Sequence, residues 1–363
     1  MKVVSFKHRV VSIPVRYPVV SCVRKSKNIV FVLLDVFTDE GFTGISYAQA
    51  FHKDAAQAIC SCLDYLEPII KEEDPRNIEK IWYKMLDAIK LLGHQGLPMF
   101  ALSMIDIALW DILGKIANLP VCRLLGGEPQ NFEAYQSDGL WLVSPNEAAI
   151  QADEFVSQGY KAIKMRLGRP DLEDDLKAIR EIRNVIGENI ELIADVNQGW
   201  TMETATAMIE KMRSYNLRWV EEPIEANNTD GYYKLVNKMT TSIPIATGEN
   251  LYGVASFHHF LKKDAASVYT PDLQRTGGIT GWKRINTLLE QYNKPSSIHL
   301  FPEYAVHLFP VIRNHLKVEW MSWASPLFKE RIECKDGMLR TPERAGFGLE
   351  WDEVAVSKYK IEM

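Results

Sequence analysis

The feature that most constrains the fold is a strand–loop–helix rhythm that begins near residue 126 and continues almost to the end of the chain. β-rich segments and helical segments alternate there at intervals of roughly 25 to 30 residues, as βα units do. The β-rich segments are FEAYQSDG, KAIKMRLG, IELIADVNQ, LRWVEEP, SIPIATGEN, ASVYTPDL, PSSIHLF and KVEWMSW. Eight candidate parallel strands in one run favour an α/β barrel over an open sheet.

The first third of the chain follows a different pattern, with strands first and helices after them. Residues 1–50 are β-rich, and the pattern from Lys53 to about Asn118 is helical, with a strong helix predicted to start after Pro98. This order indicates a compact α+β unit. We therefore predict an α+β domain at residues 1–125, a barrel at 126–335 and a C-terminal segment at 336–363 that returns to the first domain.

Composition and charge argue against several other classes of protein. The net charge is −5 and the basic residues are scattered, so the sequence shows no basic patch of the kind that binds nucleic acid. The five cysteines show no CxxC pair, which is typical of free thiols in a reducing cytosol. Basic residues interrupt the first twenty positions, and an early apolar run stops at Asp35. We therefore expect a soluble, cytoplasmic protein with no signal peptide and no membrane partner.

Polar side chains occupy the C-terminal ends of six consecutive predicted strands. They are Lys164, Asp195, Glu221 with Glu222, Glu249, Asp272 and His299. In α/β barrels the C-terminal strand ends form the face on which active sites are built. One acidic strand end often just begins a loop, but six polar ends in succession indicate a shared functional site.

Three of these ends carry carboxylates from adjacent strands: Asp195, Glu221 and Glu249. Converging carboxylates repel one another unless a hard cation lies between them, and oxygen ligands with room for water and substrate suit Mg²⁺. We therefore predict a magnesium site. Asn197 shares a face with Asp195 and is a candidate substrate contact, although a loop residue bonded to local backbone would fit the same pattern.

The order of these motifs along the chain is itself distinctive. It runs Lys-x-Arg, Asp, Glu-Glu-Pro, Gly-Glu-Asn, Pro-Asp and Ser-x-His, and it is accompanied by SMIDIALWDILGK, DVNQGW, ATGENLYG, TPDLQRTGGITGW and SSIHLFPEYAVHL. This set resembles the enolase superfamily, in its mandelate racemase branch, over nearly the whole chain. The resemblance implies an N-terminal α+β capping domain over a (β/α)7β barrel, and a homo-oligomer, either a dimer or an octamer.

The resemblance also implies a role for each polar strand end. The three carboxylates named above match the Mg²⁺ ligands of the family. His299 matches the general base and Asp272 the partner that orients it. Lys164 matches the residue that contacts the substrate carboxylate, and Glu319 matches the acid that hydrogen-bonds this carboxylate as it becomes an enolate. The first step shared by the family is removal of the proton α to a carboxylate.

Arg166 is the one clear departure from the family pattern, in which this position is commonly a base opposite the histidine. Arginine stays protonated, so it is a poor second base for a racemase or epimerase. A dehydratase needs one strong base and help for the leaving hydroxide. We therefore predict dehydration of an aldonate or aldarate to a 2-keto-3-deoxy acid, with Arg166 as a bidentate donor to the substrate. Alternatively, Arg166 pairs with Glu221 or Asp195.

Two other functions stay open. A racemase, epimerase or cycloisomerase would use the same enolate with a second acid/base group. A non-catalytic metal-binding relative would keep the barrel and lose turnover, although the full set of polar strand ends argues against it.

Two loops of the capping domain are candidates for substrate recognition, at residues 15–27 and 46–53. Their polar side chains favour a polyhydroxy acid as the substrate. These side chains are Arg16, Tyr17, Arg24, Lys25, Lys27, Tyr47, Gln49 and His52. We predict substrate contacts by Arg16, Tyr47 and His52, although a solvated loop would explain any one of them.

Overall fold

A three-stranded antiparallel sheet and three helices form the first domain of the computed structural model, which describes residues 1–239 and 243–362. The strands are β1 (Val3–Val20), β2 (Lys25–Thr38) and β3 (Thr43–Gln49), paired in that order. The helices are α1 (Lys53–Ile70), α2 (Ile78–Ala88) and α3 (Leu97–Ala117). Ser242 of the predicted fifth barrel strand and Met363 of the predicted C-terminal segment lie outside the described residues.

Helix α3 is the central support of this domain. By length and composition it could cross a membrane, but 83% of its most apolar window is buried inside the protein. It carries two buried acidic residues, and both have partners: Asp106 accepts the amide of Thr280 at 3.0 Å, and Asp111 accepts the amide of Ile45 at 3.0 Å. The helix is therefore a core element that fastens the first domain to the rest of the chain.

The second domain is a closed parallel barrel, entered through a short helix, α4 (Val121–Leu124). Its strands are β4 (Asn131–Gln136), β5 (Ala162–Arg166), β6 (Glu191–Asp195), β7 (Leu217–Glu221), β8 (Ile245–Thr247), β9 (Val268–Tyr269) and β10 (Val318–Trp320). Parallel pairing of β10 with β4 closes the sheet. The predicted strand PSSIHLF is reduced to isolated parallel bridges at Ser296 and His299, and it occupies the position between β9 and β10.

Helices follow the first seven strand positions and cover the outside of the barrel. They are α5 (Pro145–Ser157), α6 (Leu172–Ile186), α7 (Met202–Lys211), α8 (Thr229–Asn237), α9 (Gly253–Lys262), α10 (Leu273–Thr276), α11 (Gly278–Gln291) and α12 (Pro302–Leu308). Inside, one apolar cluster fills the lower part of the barrel, with Tyr135, Ile193, Trp219 and Val268 among its members. The barrel is a packed core, so a site can form only above this layer.

The C-terminal segment contacts the barrel before it reaches the first domain. Strand β11 (Met338–Arg340) pairs antiparallel with β4, and helix α13 (Glu353–Tyr359) then packs on β1. Trp351 Nε1 donates to buried Asp35 at 2.7 Å, and Lys360 bridges to Val11 of β1. The segment therefore ties the two domains together.

We predict that His307 makes the stability of the fold depend on pH. Burial lowers the pKa of His307 from 6.5 to about 4, and the hydrogen bond between its Nε2 and the Phe347 carbonyl opposes this only in part. The unfolded chain then binds the proton more readily than the folded chain. The contribution of His307 to stability is therefore complete above pH 6.5 and is lost as the pH falls toward 4, by about 3 kcal/mol in total.

The measurement is the free energy of unfolding in urea at pH 7 and pH 5 for the wild type and for His307→Gln. Glutamine can still donate to the Phe347 carbonyl but does not titrate, so we expect the variant to lose less stability between the two pH values. An equal loss in both proteins would assign the pH dependence to other groups.

Candidate active site

A cavity of about 430 Å³ lies at the C-terminal ends of the barrel strands, beneath the first domain. The barrel residues that line it are Trp141, Arg166, Asp195, Asn197, Gln198, Glu222, Glu249, Asn250, Arg275, His299, Leu300, Met321 and Trp323. The first domain contributes Val19, Ser21, Val23, Arg24, Gln49 and Phe51. Both domains therefore build the site.

Strand alternation explains why the charged residues converge. Side chains two positions apart on a strand share a face, and inward-facing Ile193 and Trp219 belong to the apolar layer of the barrel. Asp195 and Glu221 follow them by two residues and therefore point inward one layer higher. Lys164 stands in the same relation to Ala162 on β5. The charged groups thus form a layer directly above the apolar one.

Lys164 lies at the centre of this charged layer, with 1% of its side chain exposed. Its Nζ is 2.7 Å from Oε1 of Glu319, 3.3 Å from Oε2 of Glu221 and 3.4 Å from Oδ2 of Asp195. Burial opposes the charged form, but these carboxylates raise the pKa of Lys164 well above its usual value. These carboxylates therefore stabilise the Lys164 ammonium beneath the cavity.

Glu319 is held in the ionised form. Its Oε1 accepts from Ser137 Oγ at 2.7 Å, and its Oε2 accepts from the amide of Leu300 at 2.8 Å. Burial alone would raise the pKa of Glu319, but the positive charges of Lys164 and His299 lower it to about 2. In this arrangement Glu319 accepts hydrogen bonds, so the predicted hydrogen bond from a protonated Glu319 to the substrate stays a prediction.

Buried carboxyl groups crowd together at the rim of the cavity. Glu222 Oε1 and Glu249 Oε2 are buried and have no hydrogen-bond partner among the described residues. Burial, together with the charges of Asp195 and Glu221, raises the pKa of Glu249 to about 7, although the nearby His299 opposes this. Burial and the charge of Glu249 raise the pKa of Glu222 well above its usual value.

Crowded carboxyl groups of this kind suit a hard divalent cation bound through oxygen atoms. Within residues 1–239 and 243–362, no three His, Cys, Asp or Glu side chains are grouped in this arrangement so that they could hold a metal ion. The oxygens of Asp195 and Glu221 are instead grouped around Lys164. The donor set and the unpartnered oxygens fit a cation such as Mg²⁺ at this rim.

His299 and Asp272 form a hydrogen-bonded pair on the cavity wall. Nδ1 of His299 donates to Oδ2 of Asp272 at 2.7 Å, which leaves Nε2 facing the cavity, 3.5 Å from Oε2 of Glu249. Burial opposes protonation, but the charge of Glu249 and the hydrogen bond to Asp272 raise the pKa of His299 to about 9. The carboxylate fixes the tautomer, so Nε2 is the nitrogen available to a substrate.

Arg166 is held in place from several sides. Its Nη1 donates to the carbonyl of Ser137 at 2.9 Å and its Nη2 donates to the Ser137 hydroxyl at 3.0 Å, while its guanidinium lies 4.1 Å from the centre of the Trp141 ring. Its Nε is 3.7 Å from Oδ2 of Asp195, so the predicted alternative pairing with Asp195 is present as a long contact. Both Nη atoms of Arg166 already donate to Ser137. The predicted bidentate hydrogen bonding from Arg166 to the substrate is therefore not preorganised in this arrangement.

The structure places Asn197 at the cavity, and it places the three predicted contacts from the first domain, Arg16, Tyr47 and His52, outside the cavity lining. Arg16 is 66% exposed and pairs with Glu154 on α5. Tyr47 is buried and donates to Glu303. His52 is 73% exposed and caps α1. Among the described residues of these two loops, Arg24 and Gln49 are the polar candidates that reach the cavity instead.

Glu222 was among the predicted polar strand ends, although its direction was not predictable, and some other lining residues carried no usable sequence signal. Glu222 stands one residue beyond β7 with a left-handed backbone (φ 38°), so a turn and not strand alternation directs its side chain. Phe51 and Trp323 look like ordinary core residues in sequence. The motif TPDLQRTGG contains Arg275, and its nearness to Asp272 was the one signal available.

Family comparisons agree with this architecture. Residues 4–126 match the N-terminal domain of the mandelate racemase / muconate lactonizing enzyme family, and residues 147–355 match the enolase C-terminal domain-like family. The chain belongs to the enolase superfamily, in its mandelate racemase branch. The predicted family and the predicted barrel with an N-terminal cap are both confirmed.

Individual members of the superfamily resemble the whole chain. L-talarate/galactarate dehydratase of Salmonella typhimurium is 30% identical over 90% of this chain and 82% of its own length. A crystal structure of an enolase from alpha proteobacterium BAL199 with bound Mg is 32% identical, covers 99% of both chains and has a TM-score of 0.95. L-talarate dehydratase from Polaromonas sp. JS666, complexed with Mg and L-glucarate, is 29% identical over 99% of this chain and 98% of that one, with a TM-score of 0.88.

Other relatives in the superfamily are cycloisomerases and a racemase. The similar proteins are therefore enzymes, mostly dehydratases with some isomerases. Membership alone leaves the reaction of this chain to be inferred from its own cavity.

Proposed function

We propose that this protein is a Mg²⁺-dependent dehydratase that converts an aldonate or aldarate to a 2-keto-3-deoxy acid. The supporting observation is the asymmetry of the cavity. His299 with Asp272 forms the one imidazole–carboxylate pair that the described residues bring to the cavity, while the position of a second base is taken by Arg166, which Ser137 and Trp141 hold fixed. A single base suits elimination of water better than inversion at the α-carbon.

The chain's own groups move the proton in this reaction. Mg²⁺ held by Glu249 would offset the carboxylate charge that raises the pKa of His299, and the neutral imidazole then takes the α-proton at Nε2 while Asp272 accepts from Nδ1. The electron pair left on the α-carbon forms a double bond to the β-carbon as the β-hydroxide departs. His299 returns the proton to this hydroxide, so water leaves. The enol that remains tautomerises to the 2-keto-3-deoxy acid.

Positive charge near the cavity favours this step, because the intermediate carries more negative charge than the substrate. Lys164 is a buried ammonium beneath the carboxylates, and Arg166 lines the cavity wall. Asp195, Glu221 and Glu249 would hold Mg²⁺, which would supply Lewis-acid stabilisation of the enolate. Asn197, Arg24 and Gln49 are the polar side chains that we assign to substrate hydroxyl groups.

A substrate screen tests the reaction type. We expect the Mg²⁺-loaded protein to convert at least one aldonate or aldarate in D₂O to a keto-deoxy acid, seen by proton NMR and mass spectrometry. Deuterium that enters the α-position with inverted configuration and without loss of water would replace the dehydratase proposal with a racemase or epimerase.

We predict that His299→Asn lowers turnover by about a thousandfold, because asparagine cannot take the α-proton. The measurement is kcat on the substrate found in the screen, together with α-deuterium exchange. His258→Asn is the matched control, since His258 is exposed on α9, outside the barrel. Turnover that survives His299→Asn would mean that another group is the base.

We predict that Glu221 and Glu222 differ in their effect on the metal. Glu221 stands at the ligand position of the family motif, whereas Oε2 of Glu222 already accepts from Asn250 at 2.7 Å, so we assign the metal to Glu221 and a supporting role to Glu222. We expect Glu222→Gln to weaken Mg²⁺ binding about tenfold and Glu221→Gln to weaken it by about 100-fold or more. Calorimetric titration with Mg²⁺ measures both, and the reverse order would make Glu222 the ligand.

A further inference from the structure

The His299–Asp272 pair has a third member on α10, the short helix that follows β9. Nη1 of Arg275 lies 3.0 Å from Oδ2 of Asp272, the same oxygen that accepts from His299 Nδ1 at 2.7 Å. We propose that Arg275 is a positioning residue, which holds Asp272 and through it the base, and that the capping domain holds Arg275. This inference rests on the proposed function, in which His299 removes the α-proton.

The carboxylate of Asp272 is fixed at both oxygens. Oδ1 caps helix α10 by accepting the amides of Gln274 at 2.8 Å and Arg275 at 3.1 Å. Oδ2 accepts the hydrogen bond from the imidazole and forms an ion pair with Nη1 of Arg275, which has no hydrogen-bond partner among the described residues. Without that guanidinium, the position of Oδ2 would depend on the imidazole it is meant to orient.

The capping domain encloses the arginine. The Arg275 guanidinium lies 5.8 Å from the centre of the Phe51 ring and 5.5 Å from that of Phe100, and Arg275 is 7% exposed. Phe51 has a left-handed backbone (φ 60°), and its carbonyl accepts from Arg24 Nη2 at 3.0 Å. Cation–π contacts of a desolvated guanidinium are favourable, so the cap stabilises the orientation in which Arg275 reaches Asp272.

Two other roles for Arg275 make different predictions. As a direct substrate contact, it would contribute mainly to KM, since it lines the cavity. As a purely structural cation, it would contribute to stability and not to the rate of the folded enzyme. As a positioning residue, it changes kcat, because small displacements of a catalytic base slow proton transfer strongly.

The kinetic experiment compares Arg275→Met and Arg275→Lys with the wild type on the substrate found in the screen. For Arg275→Met we expect kcat to fall by about 10- to 100-fold while KM changes by less than about threefold. The α-deuterium isotope effect on kcat should rise, because proton removal becomes slower relative to the other steps. Arg275→Lys keeps the charge and should recover most of kcat.

Arg183→Met is the matched control. Arg183 is also 7% exposed, but it lies on α6 and donates to backbone carbonyls, among them those of Gly187 and Ile190. It is far from His299 in the sequence. We expect it to lower stability without changing kcat or the isotope effect. A rise in KM at constant kcat for Arg275→Met would make Arg275 a substrate contact, and equal behaviour of the two Met variants would leave it a structural cation. Either result would overturn the proposal.

Phe51→Leu tests whether the capping domain holds Arg275, because this substitution changes the cap and leaves the barrel sequence unchanged. We expect it to raise the isotope effect in the same direction as Arg275→Met, by a smaller factor. An unchanged isotope effect would remove the cap from the proposal and leave Arg275 to act alone.

Crystal structures of the wild type and Arg275→Met separate this inference from the proposed function, because they need no turnover. We expect the distance between His299 Nδ1 and Asp272 Oδ2 to lengthen beyond hydrogen-bond range in the variant. If the distance lengthens but no sugar acid is converted by the wild type, the positioning role stands and the proposed function fails. If the wild type is a dehydratase and the distance is unchanged, Arg275 does not position the base.

Discussion

The charged layer of this barrel depends on one buried cation, the ammonium group of Lys164. Carboxylates from three strands, β6, β7 and β10, lie within 3.4 Å of it. In a medium of low dielectric constant these carboxylates would repel one another and would lack the water that stabilises them at the surface. Removing one partner from a buried ion pair typically costs about 3–5 kcal/mol. Lys164 therefore stabilises the barrel and gives the site its permanent positive charge.

Sequence patterns predicted the barrel and its charged face because both arise from simple periodicities. Strand alternation places Asp195 two residues above Ile193 and Glu221 two residues above Trp219, so the side chains that end the strands face the interior. The parallel order of the strands then brings all of these ends to one rim. Neither step needs any knowledge of loops or of side-chain conformation, and the family comparisons confirm the resulting fold.

The contacts from the capping domain could not be predicted in the same way, because turns and register shifts decide them. Strand β1 continues to Val20, and its register with β2 shifts between Pro14 and Val19. Arg16 falls within that irregular stretch and points to Glu154, whereas Arg24 follows the turn and reaches the cavity. On β3, Gln49 lines the cavity while Tyr47, two residues earlier, is directed to Glu303. Tertiary packing therefore determines which side chains of the capping domain reach the cavity.

The reaction depends on which groups face the α-carbon on each side. Inversion requires a group that can give a proton on the side opposite to the one that takes it, and that group must be able to lose its own proton afterwards. The Arg166 guanidinium donates to Ser137 through both Nη atoms and packs against Trp141, and arginine side chains in general stay protonated near neutral pH. It stabilises an anion well and exchanges protons poorly. Elimination requires only the anion to be stabilised, and one imidazole can both take the proton and return it to the departing hydroxide.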